Sequence, residues 1–158
     1  MSEAPVPEGS RRAEVARPGR AALRSLTPPD AAPDPGSAMI VHTVSVTVSA
    51  GRASVSVELR QQGEQAVGVA EGALATGSPE RLVAEATLRA AGGLDSDVGR
   101  VALDTVTVAA AGAATVATTV LVHGERSLVG VAVVTAAGPA DAVARAVVDA
   151  LARRSASS

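Results

Sequence analysis

The 158-residue chain has no phenylalanine, tyrosine, tryptophan or cysteine, and no lysine: all 14 basic residues are arginine. Each absence excludes something. Without cysteine there is no disulfide framework, no thiolate metal site and no cysteine nucleophile, which fits a reducing, cytoplasmic setting. Without aromatic rings there is no stacking platform, and at a net charge of −2 the arginines are scattered rather than clustered. Nucleic-acid binders concentrate basic residues and often interleave aromatics, so nucleic acid is not expected as a partner. A core without aromatics must be built from Val, Ala, Leu and Ile, each buried Val or Leu contributing about 1.5–3 kcal/mol. An aromatic would bury about 150–250 Å². A subunit interface is one source for the missing area, so a homodimer or higher homo-oligomer is expected. The Ala/Val/Gly/Arg usage without lysine resembles high-GC bacterial coding.

No membrane segment is expected. The first residues lack the apolar run of a secretory signal. Thr105 to Gly124 carries no formal charge, but Gly112 interrupts it, and its counterpart earlier in the chain carries Arg52, Glu58 and Arg60. Two strands explain it better than a membrane helix.

What is present is a repeat. Val67-Gly68-Val69-Ala70 recurs as Val129-Gly130-Val131-Ala132, Thr43-Val44-Ser45-Val46 aligns with Thr105-Val106-Thr107-Val108, and the run from Pro79 to Ala90 aligns with Pro139 to Ala150. The offset stays at 60 to 62 positions. Two copies make a pseudo-symmetric pair rather than a solenoid. Residues 1–38 are different in kind: they hold seven of the nine prolines, five arginines and five acidic residues. Such a segment buries too little apolar surface to offset its ordering entropy and is expected to be a disordered tail. Met39 begins the patterned part, so the expected domain runs over 39–155, with copy one at 40–93 and copy two at 100–154.

Within copy one, alternation at Val44, Val46 and Val48, then at Val55, Val57 and Leu59, predicts two half-buried strands. Ala50-Gly51 and Gly63 mark the turns. Gln65 to Leu74 predicts a third strand, with Gly68 and Gly72 inside it. Interior strand glycines mark a bulge or a close approach by another backbone or a ligand. Ser78 predicts an N-cap and Pro79 a first helical residue. Leu82, Val83, Ala86 and Ala90 form the apolar stripe, Arg81, Glu85 and Arg89 lie opposite it, and Gly92-Gly93 is expected to end the helix. Copy two repeats the plan, with strands at Val101–Ala110, Ala114–Val122 and Arg126–Thr135. A helix from Pro139 follows, with Asp141 in its first turn and Val143, Ala146, Val147, Ala150 and Leu151 as its stripe. Each copy is therefore β-β-β-α. The expected fold class is α+β, a tandem pseudo-two-fold duplication of a βββα unit with helices packed against antiparallel sheets.

This duplication resembles the C-terminal regulatory (dimerisation) domain of 2-isopropylmalate synthase. The nearest local match is Leu128-Val129-Gly130-Val131-Ala132, then Asp141 to Ala146 and Asp149-Ala150-Leu151-Ala152-Arg153, together with the spaced glycines Gly68 and Gly72 of copy one. Ala152 stands where that family tends to have Asn, the approach from Ala73 to Pro79 is longer, and the catalytic barrel that accompanies most such domains is not expected here. The resemblance implies leucine-type feedback binding where the two units meet, and an amino-acid biosynthetic enzyme as a partner.

The chemistry of such a site follows from the residues. Glycines admit backbone N–H groups close to a ligand, helix N-termini favour a carboxylate, and Ala and Val walls suit an aliphatic side chain. The candidate ligand-binding residues are Gly68, Gly72, Gly130, Ala132, Pro139 and Asp141; the same glycines would also serve tight strand or helix packing. Replacing Gly130 with Val is expected to abolish binding and leave the fold intact. No catalytic residues are assigned. His42 and His123 do not match across the repeat and read as surface residues, and Asp95 and Asp97 lie in a linker without the further ligands of a calcium loop. No nucleophile elbow, phosphate loop or dinucleotide fingerprint is present. The expectation is a non-enzymatic module without cofactor or metal that senses a small aliphatic amino acid or 2-oxo acid. The alternative is a structural self-assembly or partner-docking domain without ligand.

Overall fold

A computed structural model describes residues 38–156, so the tail reading lies outside the described residues. The duplicated plan is what forms. Strands β1 (Ile40–Ser49), β2 (Arg52–Gln61) and β3 (Glu64–Ala73) make sheet one, followed by helix α1 (Pro79–Leu94). A short 3-10 helix, Ser96–Arg100, leads into β4 (Val101–Ala111), β5 (Ala114–His123) and β6 (Arg126–Val133), which make sheet two, and helix α2 (Pro139–Ala156) closes the chain. Both sheets are antiparallel meanders, β1-β2-β3 and β4-β5-β6.

The registers match as closely as the sequences. Val57 sits opposite Gly68 in sheet one, and Thr119 opposite Gly130 in sheet two. Each first strand is bulged at the same place, around His42 between Val41 and Thr43 and around Asp104 between Leu103 and Thr105. The bulge resets the alternation, so Val41 and Val44 both contact the core. The first hairpin turns through Ala50 and Gly51, both at positive φ (50° and 73°), the backbone that a two-residue turn needs to match strand twist.

The helices bind the halves together. α1 packs on β2 and β3 of its own sheet and on β4 of the other; α2 packs on β5 and β6 and on β1. Each helix is therefore engaged by both sheets, and their buried arcs are wide. Leu82, Val83, Ala84, Ala86, Thr87, Ala90 and Ala91 are buried on α1, and the corresponding positions of α2 are buried too. The predicted stripes are correct but narrower than the buried surface, because each helix has a neighbour on more than one side.

The core resolves the shortage of aromatic bulk by close approach. A Cβ at Gly68 would overlap the Ala86 carbonyl oxygen and stand 2.5 Å from the Ala90 amide nitrogen. A Cβ at Gly130 would overlap the Ala146 carbonyl oxygen and stand 2.5 Å from the Ala150 nitrogen. The helices thus rest on bare strand backbone, and the volume that large side chains would fill is not there to be filled. The Gly130→Val expectation is corrected on this ground: the side chain would collide with α2 backbone, so it would disturb the fold itself. The predicted helix end at Gly92-Gly93 is also corrected. The helix runs to Leu94 and is capped by Asp95, whose N–H donates to the Ala91 carbonyl at 2.8 Å. Gly93 again allows closeness, since a Cβ there would stand 3.0 Å from the Ala66 Cβ.

The outward faces of the sheets differ. On sheet one, Ser54 Oγ donates to Glu71 Oε1 at 3.3 Å across β2 and β3, and Arg60 Nε pairs with Glu58 at 3.2 Å. On sheet two the positions 62 residues later than Ser54, Glu58 and Glu71 are Val116, Val120 and Val133.

Candidate functional site

Both helices start at one cleft of about 330 Å³, bordered by Val46 of β1, Pro79, Glu80 and Val83 of α1, and Ala137 to Ala140 before and within α2. The volume lies at the small end of ligand sites, about 300–1,000 Å³. At the opposite end, Arg154 of α2 forms an ion pair with Asp95, which caps α1. First turns meeting at one end and last turns at the other mean that α1 and α2 run in the same direction. Their dipoles add: two partial positive ends face the cleft and two partial negative ends face Asp95. Arg100 and Arg154 at that far end border a second, polar depression with Asp97, His123 and Ser155, and the two arginines complement the negative helix ends.

The two helix starts are built differently. At α1, Ser78 Oγ accepts the Arg81 N–H at 3.2 Å, as the sequence predicts. At α2 the equivalent residue is Gly138, with φ at +95° and no side chain to serve as a cap. Its carbonyl accepts from Ala142 N at 3.3 Å, and the preceding turn is tied by Gly138 N to the Thr135 carbonyl at 3.0 Å. Pro139 has no N–H, so the first-turn donors of α2 are those of Ala140 and Asp141. The walls of the cleft are apolar side chains apart from Glu80.

Of the six residues expected at a site, Pro139 borders this cleft. Gly68 and Gly130 face helix backbone, and Gly72 faces Leu82, whose Cδ2 would stand 3.0 Å from an added Cβ. Ala132 is half-buried against the core. Asp141 accepts from Arg145 Nε at 2.7 Å, and the same arginine donates to the Val133 carbonyl at 2.9 Å, tying α2 to β6. The sequence reading missed Val46, Glu80, Val83 and Gly138 as cleft residues. One signal for Gly138 was available: the repeat aligns it with Ser78, so the second helix visibly lacks its counterpart's cap.

Among the described residues, no group of three or more His, Asp or Glu side chains is placed to hold a metal ion, and no helix is long and apolar enough to cross a membrane. No protein-family model matches the chain, and no curated protein matches it.

Proposed function

We propose that this domain is a non-catalytic binding module that takes a small aliphatic amino acid at the cleft between the two helix starts, as a relative of the 2-isopropylmalate synthase regulatory domains that it resembles. The observation that carries the reading is the convergence of two parallel helix N-termini, one without a side-chain cap, on an apolar cleft of about 330 Å³. The ligand carboxylate would accept from the Ala140 and Asp141 N–H groups, where both helix dipoles favour negative charge. The side chain would lie against Val46, Val83 and Ala140. Glu80 supports an amino acid over a 2-oxo acid, since its carboxylate offers an ammonium group a partner and a keto oxygen none. Val46 comes from copy one and Ala140 from copy two, so occupancy would tighten the junction of the halves, a suitable input for a partner enzyme.

Thermal unfolding of the full chain with millimolar leucine, isoleucine, valine and the corresponding 2-oxo acids tests this. At a hundredfold excess over Kd a ligand stabilises by about 2.7 kcal/mol, which raises the midpoint by several degrees. Glu80→Gln is expected to weaken amino-acid binding about tenfold and leave 2-oxo acid binding unchanged. Absence of stabilisation by every one of these compounds would end the reading.

A further inference from the structure

We infer that the outward face of sheet two is the surface through which two copies of this chain associate, sheet against sheet. The register defines its centre as three rows: Thr105, Val120 and Val129; Thr107, Thr118 and Val131; Ala109, Val116 and Val133. None carries a charge. Val129, Val131 and Val133 are 45%, 48% and 50% exposed. The equivalent centre of sheet one shares two exposed valines, Val67 and Val69, but holds Glu58, Glu71 and five serine or threonine positions: Thr43, Ser45, Thr47, Ser54 and Ser56. Since the two sheets share topology, register and the close approach of a helix at Gly68 and Gly130, the fold does not require the outer face of either to be apolar. Sheet two carries an uncharged face for a reason outside the fold.

The occupant follows from charge and area. A face without ionisable groups is complemented by another such face, because any charge opposed to it would be desolvated without a partner. The sheet-two face of a second copy meets this condition in an isologous pair. The proline- and charge-rich residues 1–38, with five arginines and five acidic residues, meet it poorly. Three strands about 4.8 Å apart and about ten residues long at about 3.4 Å each span roughly 500 Å². Two copies together would cover roughly 1,000 Å², where specific interfaces begin. Association by strand addition at β6 is disfavoured, because helix side chains occupy its outer backbone groups. Asp149 Oδ2 accepts the Val131 N–H at 3.0 Å, and Arg145 donates to the Val133 carbonyl. This proposal stands apart from the ligand reading, and either can fail alone.

The test measures the mass of the full chain by light scattering between about 5 and 500 µM. The expected result is a concentration-dependent shift from 15.5 kDa towards twice that value. Val120→Glu, which installs the residue that sheet one carries at the equivalent position, is expected to raise the dimer dissociation constant at least a hundredfold with an unchanged circular dichroism spectrum. Should that variant not fold, the cysteine-free chain offers another readout. Thr118→Cys is expected to form a covalent dimer with a short bismaleimide, while Ser56→Cys on sheet one is not. A wild-type chain monomeric at every concentration would overturn the proposal. So would a dimer linked equally well through Ser56→Cys, or a monomer that dimerises only when residues 1–37 are removed, which would make the tail the occupant.

Discussion

Towards the helices, sheets one and two agree where a helix comes closest: Leu59 and Leu121 are both fully buried, and Gly68 and Gly130 each lie directly under a helix backbone. Towards solvent they diverge, with the Ser54–Glu71 and Glu58–Arg60 pairs on one and Val116, Val120 and Val133 on the other. At these two glycines the inner surfaces have no latitude, because a helix resting on bare backbone rejects even one methyl group. The outer surfaces have much, because a pleated sheet folds with either serine or valine on its far side. A difference on the inner side, such as Val57 against Thr119, reports on packing; the difference on the outer side reports on what that side meets.

Three measurements break or sharpen this comparison. The largest effect is expected at the paired glycines. Gly68→Ala and Gly130→Ala should each destabilise by about 3 kcal/mol or more, since the added methyl meets helix backbone that cannot rotate away. Urea denaturation should return similar losses for the two; a large inequality would mean that the halves are not equivalently packed. A smaller effect of opposite sign is expected at Thr119, which is buried opposite Gly130 where sheet one has Val57. Its hydroxyl has no hydrogen-bond partner among the described residues. Thr119→Val should stabilise by about 1–2 kcal/mol, read as a higher denaturation midpoint at unchanged slope. The smallest effect is expected from Glu58→Val, which makes sheet one more like sheet two. Among the described residues Glu58 pairs with the exposed Arg60 nearby, so stability should move by less than about 0.5 kcal/mol in the same assay. A loss well above that would show that the outer face of sheet one does contribute to the fold.

Much of the architecture was legible beforehand. Period-two valines located β1 and β2 because one face of each sheet is covered, and Ser78-Pro79 located α1 because capping is local chemistry. The boundary at Gly92-Gly93 was misread because glycine serves two purposes, stopping a helix and letting one pass close to a neighbour, and Ala66 decides which. The same ambiguity governs the candidate site. Gly68 and Gly130 announce a close approach, but whether a ligand or a helix approaches depends on where α1 and α2 lie. The cleft was only half visible: Pro79 and Pro139 were marked as helix starts, whereas Val46 joins them from a strand more than thirty residues before Pro79.

By itself the sequence determined the repeat, the alternating strands, the helix starts with the Ser78 cap and the demand for closeness at two glycines, because these depend on neighbours within a few residues or on self-similarity. The tertiary structure alone decided that the helices run parallel between the sheets, that their positive ends share one cleft, and that the glycines are spent on helix packing. Those outcomes depend on contacts between separate elements, from Gly130 with Ala146 to Val46 with the start of the second helix, and such pairing is set by the combined burial of both halves rather than by any local preference of the chain.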